Sequence, residues 1–309
     1  MGIPEIINSL AMIFIMIIPG IVLSKKGMIN EEHSKGISSI VVNLTWPCLV
    51  ISAMQIPYSR QTLLDSGYIF IIMFVAFAIA FALSYLTVKF VKFKIEKSYL
   101  FTFMLIFGNT GFIGIPVINA LYGKNAVFYA SIVEMVNNIF LFTIGIILIQ
   151  LSAGVKAKIN LKGMLTPGMF GIIIGFALFL LNLELPGFIG DSISIIGAAT
   201  TPLSMIVIGV QLGHISIKEL LGDKNLYLLS FMKLLIIPAA VFLLLRFGLK
   251  DVSLLAKVII IEFAMPVAAC TTIFSQQYNG DVAFSTKGVM LTTIFSIITI
   301  PIFAVLLTL

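Results

Sequence analysis

Between positions 107 and 117 the chain reads Phe-Gly-Asn-Thr-Gly-Phe-Ile-Gly-Ile-Pro-Val, and here its residue types are best suited to chemistry. Three glycines, Asn109, Thr110 and Pro116 interrupt an otherwise apolar run. Glycine lowers helical stability, and proline removes a backbone donor and clashes with the preceding turn, so a helix should break here. A second run, Glu262-Phe263-Ala264-Met265-Pro266-Val267-Ala268-Ala269-Cys270-Thr271-Thr272, has its break at Pro266. Each break leaves a half-helix N-terminus, whose amide donors and partial positive charge attract an anion, above all a carboxylate. Asn109, Thr110, Gly111 and Pro116 on the first segment, with Pro266 and Thr271 on the second, are the candidate substrate contacts. The plainer alternative is a kinked helix whose glycines let its neighbours pack closely.

The elements that carry these breaks lie in a membrane. Of 309 residues, 60% are hydrophobic and only 10% charged. Together with a mean hydropathy of +1.16, this is far from the composition of a soluble domain. The charges sit mostly between apolar runs, each long enough for a hydrocarbon core of about 30 Å. Ten spans are expected, at 4–23, 37–55, 68–88, 99–121, 126–150, 165–181, 193–212, 226–247, 252–278 and 289–307. The first lacks a basic start and a small-residue cleavage site, so it reads as a span and not as a secretion signal. Cys48 and Cys270 fall inside apolar runs, and neither a disulfide nor a metal site is expected of them. The loops are too short for a nucleotide-binding module, and no glycine-rich stretch continues into Lys-Ser or Lys-Thr. Uphill transport would therefore draw on an ion gradient or the membrane potential.

Basic loop residues are retained on the cytoplasmic side. Loops after odd-numbered spans hold Lys25, Lys26, Lys35, Lys89, Lys92, Lys94, Lys97, Lys156, Lys158, Lys162, Lys218, Lys224 and Lys287, against Arg60, Lys124, Arg246 and Lys250 after even-numbered ones. Odd loops are thus expected in the cytoplasm and both termini outside, in the cell membrane. The same bias explains the basic pI of about 9.2 without nucleic acid as a partner.

Spans two and seven echo one another. Pro47 and Pro202 are 155 residues apart, the Val-Ile pairs at 50–51 and 207–208 are 157 apart, and Gln55 and Gln211 are 156 apart. Tyr122-Gly123 and Tyr278-Asn279-Gly280 repeat the interval. These matches divide the chain into a first five-helix repeat at 1–152, a cytoplasmic connector at 153–163 and a second repeat at 164–309. An odd number of crossings inverts the second repeat relative to the first.

Ionisable groups inside a membrane are costly and tend to serve function. Glu134, in span five, is either a proton-coupling carboxylate or a structural acid paired with a lysine. Lys233 in span eight and Lys257 and Glu262 in span nine form a candidate charge network, with mutual pairing as its plain reading. Lys257 could instead snorkel to the outer face. Gly171 and Gly175 read as an internal packing contact ahead of a homodimer interface. Without a Ser-His-Asp set, paired aspartates or a metal-ligand cluster in the spans, neither an enzyme nor a cofactor is expected.

The run Gly-Asn-Thr-Gly-Phe-Ile-Gly-Ile-Pro at 108–116, followed by Tyr122-Gly123, resembles the fourth-helix signature of the auxin efflux carrier family, which spans plant PIN-type exporters and bacterial malonate or malate carriers. The span count and the proline of span nine agree with that family. The resemblance implies an all-α polytopic fold like that of sodium/proton antiporters and bile-acid symporters. In that fold, spans four and nine are crossover helices of a mobile domain, the first two spans of each half are a scaffold, and access alternates by an elevator-like movement. It places the family's crossover Asn and Pro at Asn109 and Pro116, and its second crossover proline at Pro266. It also points to Ser52 and to Asn137 and Asn138 as lining the binding site. The long cytoplasmic loop of the plant exporters is absent, so its regulation by phosphorylation does not carry over.

The expected function is a secondary transporter of a small organic anion, a mono- or dicarboxylate such as malate, malonate or an auxin-like acid. An anion channel and a sodium-coupled organic-anion symporter are the alternatives. Proton or sodium coupling, the direction of transport and the oligomeric state are left open by the residues.

Overall fold

A computed structural model describes residues 2–159, 161–214, 220 and 222–308. Lys218 of the charge tally and Asn160 of the connector lie outside the described residues. Among the described residues, seven helices are long and apolar enough to cross a membrane by length and composition. They are α1 (Ile3–Lys25), α2 (Glu32–Ala53), α3 (Arg60–Val91), α6 (Lys124–Ser152), α8 (Gly187–Gly213), α9 (Lys224–Gly248) and α12 (Val282–Leu306). The other three expected spans take a different form. The sixth is the shorter helix α7, Pro167–Leu180. The fourth consists of α4 (Ile95–Ile106) and α5 (Thr110–Tyr122). The ninth consists of α10 (Leu254–Phe263) and α11 (Cys270–Gln277). At 1.5 Å per residue, none of these pieces alone reaches about 30 Å. Among the described residues there is no strand, and a single isolated antiparallel bridge joins Gly108 to Val267.

Local chemistry explains most helix ends. Side chains of Thr166, Asp223, Ser253 and Asp281 accept hydrogen bonds from the first-turn amides of α7, α9, α10 and α12. Gly123, at φ +76°, sits in the left-handed region between α5 and α6, where a Cβ would be strained.

The chain divides into two compact units. The first comprises Met1–Tyr68, Gly111–Met135 and Leu165–Ser216. In it α1 and α8 meet at glycines: a Cβ on Gly20 would overlap the Ile206 carbonyl oxygen and lie 2.9 Å from Gly209 Cα. A Cβ on Gly209 would in turn overlap the Ile17 carbonyl oxygen. On the other side of this unit α2 receives α7 and α8, with Gly168 against the Trp46 ring, Gly171 against Pro47, Gly175 against Met54 and Gly197 against Leu49. Gly171 and Gly175 thus serve packing inside the chain, where small residues let helix axes approach. Between α7 and α8, the Tyr58 amide donates to Asn182 Oδ1 at 2.9 Å and the Leu185 amide to Gln55 Oε1 at 2.9 Å.

The second unit comprises Ile69–Thr110, Val136–Met164 and Ile217–Leu309. Its interior is rich in aromatic rings, with Phe77 stacked on Phe140 at 4.3 Å and edge-on to Phe263 at 5.6 Å. Gly145 leaves room for the Phe103 and Phe107 rings, and Gly288 for Met104 and Leu229. At one edge Lys97 stands 3.7 Å from the Asp223 carboxylate and 4.4 Å over the Phe284 ring, an exposed charge contact of small energetic weight.

Candidate functional site

The two interrupted segments of the second unit hold each other by their backbones. After α4 ends at Ile106, Phe107 turns extended, with φ −90° and ψ 119°. The Asn109 amide donates to the Pro266 carbonyl at 2.7 Å, and the Ala268 amide donates to the Phe107 carbonyl at 3.1 Å. Each break therefore satisfies polar groups that the other has released, which is what buried, non-helical backbone in a membrane requires. Pro266 has no amide to donate, and the next donor, Val267 N–H, goes to Thr292 Oγ1 of α12 at 3.1 Å. Gly108 fits because it lacks a Cβ: one built there would lie 3.3 Å from Met265 Cβ and 3.4 Å from both the Glu262 carbonyl oxygen and Lys233 Nζ.

The polar side chains predicted for the site are buried here. Asn109, Thr110, Asn137, Asn138 and Thr271 are each less than a tenth exposed. Asn137 Nδ2 donates to Thr110 Oγ1 at 3.2 Å, so two of the candidate residues join the start of α5 to the middle of α6. The Thr271 hydroxyl donates back to the Ala268 carbonyl at 2.6 Å, which ties the first turn of α11 to the break.

In the first unit, a Cβ on Gly111 would lie 3.5 Å from the Trp46 ring and 3.8 Å from Glu134 Oε1. Glu134, buried in α6, thus faces the segment that follows Thr110. Pro116 is buried at the start of the α-helical part of α5, just after a π-helical turn at Thr110–Gly114. Ser52 is buried near the end of α2.

Residues 5–304 match the sequence model of a family described as membrane transport proteins. The chain belongs to that family. It is the auxin efflux carrier family whose fourth-helix signature the run at 108–116 resembles. Among similar chains, an uncharacterized transporter of Methanocaldococcus jannaschii is 27% identical over 298 residues, covering 94% of this chain and 95% of the relative. An uncharacterized transporter of Methanothermobacter thermautotrophicus is 23% identical over 299 residues, covering 96% of each.

In this membrane transport protein, Lys233, Glu262 and Lys257 of the candidate charge network fall at two places. Lys233 is fully buried in a π-helical turn of α9, Met232–Ile236, and its ammonium donates to the Ile106 carbonyl at 3.2 Å. Glu262, also buried, is in the last turn of α10, and its carbonyl is among the neighbours of Gly108. Lys257 is half-buried and lines a separate shallow recess with Arg246, Asp251 and Leu306. Among the described residues no cluster of three His, Cys, Asp or Glu is placed to hold a metal ion.

Sequence reasoning missed Thr292 beside the crossing in the second unit and, within the first unit, Trp46 beside Gly111. Thr292 lies in a run of Thr, Ser and Ile with no pattern to distinguish it. Trp46 is the one tryptophan of the chain, which was a signal available in the composition. Thr292→Val, of matched shape, is expected to leave the Val267 amide without its acceptor and to cost about 1–3 kcal/mol. A lowered melting temperature of the detergent-solubilised protein would register it, and an unchanged one would show that the amide finds another partner.

Proposed function

We propose that this membrane transport protein is a secondary carrier for a small organic anion, a mono- or dicarboxylate of the size of malate, malonate or an auxin-like acid. The observation that carries this reading is the pair of helix breaks joined at Gly108 and Val267, from which α5 and α11 each start afresh. Two half-helix N-termini arising from one crossing offer amide donors and partial positive charge to a single carboxylate or to the two ends of a dicarboxylate. Asn109, Thr110 and Asn137 supply side-chain hydrogen bonds next to the first of them. From the sequence reading, Asn138, Thr271 and Ser52 are further contacts, and Glu134, which lies beside Gly111, is a proton-coupling carboxylate or a structural acid paired with a lysine.

The mechanism that follows is alternating access of the elevator type, with 1–152 and 164–309 as inverted repeats around the connector at 153–163. What supports the repeat is the order of elements. In each half two helices precede one long helix, then comes a helix in two pieces, then a final long helix. The excess of lysine after odd-numbered spans supports termini outside the cell membrane.

The test is counterflow in proteoliposomes. Vesicles loaded with unlabelled malate, malonate or indole-3-acetate should accumulate the matching labelled acid transiently and saturably. Currents far above carrier turnover would replace the carrier by a channel. No counterflow with any acid of a wider carboxylate panel would remove the organic-anion reading.

A further inference from the structure

We propose that the Lys233 ammonium is the resident cation of the crossing, filling the electrostatic place that an alkali ion would otherwise take between two half-helix C-termini, so that the protein needs neither sodium nor lithium there. Helix α4 ends at Ile106, and its terminal carbonyl accepts from Lys233 Nζ at 3.2 Å. Helix α10 ends at Phe263, and a Cβ built on Gly108 would lie 3.4 Å from both the carbonyl oxygen of Glu262, in its last turn, and Lys233 Nζ, so both flank the same glycine. Each helix C-terminus carries about half a negative charge on carbonyls with no partner further along the helix. Two such ends converging in a buried place demand a cation.

In carriers with broken helices, half-helix C-terminal carbonyls are the usual ligands of a coupling sodium ion. Here the lysine stem brings a monovalent charge to them covalently. Lys233 is 0% exposed, and an ammonium at such depth is costly unless oppositely charged groups surround it. The carbonyl ends contribute to that compensation, the Ile106 carbonyl directly, and give a physical reason for a lysine in the middle of an apolar helix. The inference concerns the charge balance of the crossing and stands whatever anion the carrier takes.

The experiment compares thermal melting of the purified, detergent-solubilised protein in sodium, lithium and N-methylglucamine chloride at equal ionic strength. Unaltered protein should melt at the same temperature in all three. Lys233→Ala should melt lower in N-methylglucamine and recover most of the loss, saturably, in sodium or lithium, because the small cations can enter the vacated place and the bulky one cannot. Lys233→Arg should keep the indifference of the unaltered protein. Where the alanine variant does not fold, Lys233→Ser, which is also uncharged and leaves the place open, takes its place. A lysine with a merely structural role would lower the melting point equally in the three salts, and that result overturns the proposal. Stabilisation of the unaltered protein by sodium over N-methylglucamine overturns it as well, without recourse to any variant.

Discussion

Gly209→Leu should prevent the first unit from assembling, and Gly209→Ala should lower its melting temperature substantially. The neighbour that a Cβ meets here is the Ile17 carbonyl oxygen, with Gly20 Cα at 2.9 Å, and neither is the end of a flexible side chain. Backbone atoms cannot rotate aside, so α1 and α8 must separate along the whole contact. Overpacking of this kind costs about 1–3 kcal/mol for a methyl group and more for a leucine. Gly20→Ala should act in the same way from the opposite helix, because its Cβ would run into the Ile206 carbonyl. The two should be less than additive when combined, since either one already opens the contact. Gly67→Ala is the control: nothing lies within 4 Å of the added Cβ, and inside helix α3 alanine is favoured over glycine by about 0.5–1 kcal/mol. Melting of the four single variants and the double variant in detergent checks the series. Equal melting of Gly209→Ala and Gly67→Ala would mean that α1 and α8 are not so close in the protein.

Asn109→Ala is expected to cut affinity for the carboxylate by about ten- to a hundredfold, the equivalent of about 1.5–3 kcal/mol for one hydrogen bond to a charged group. The fold should survive, because the contact that Asn109 makes across the break is its main-chain amide to the Pro266 carbonyl, and alanine retains that donor. Only the carboxamide is lost. Asn109→Asp should lose more than alanine does, since a second anion then faces the substrate. Half-saturation in the counterflow assay, read beside the melting temperature, separates the two effects. A fall in melting temperature with unchanged half-saturation would assign Asn109 to the scaffold.

The breaks at 107–109 and 264–269 were legible because glycine and proline act on their own backbone, whatever surrounds them. The caps at Thr166, Ser253 and Asp281, which only the structure identified, are local in the same way, each a side chain that accepts from an amide three residues on. The class of solvent was legible too, since hydropathy sums over many residues and tolerates local error. The span count was less so. Span six came out as a helix of 14 residues, because apolar length measures what a membrane accepts and not where a helix stops at Asn182, in the left-handed region.

What the sequence by itself determined, then, is a membrane-embedded helical chain of the transporter family with two weak points and a scatter of buried polar groups. Only the tertiary structure decided which partner each of these took. That Gly108 pairs with Val267, that Lys233 reaches Ile106, that Thr292 receives the Val267 amide and that Gly20 meets Gly209 are all choices between residues distant in the chain. Propensity and capping act within a few residues, so they cannot rank distant partners. That ranking comes from shape and from the need to satisfy every buried donor, acceptor and charge at once.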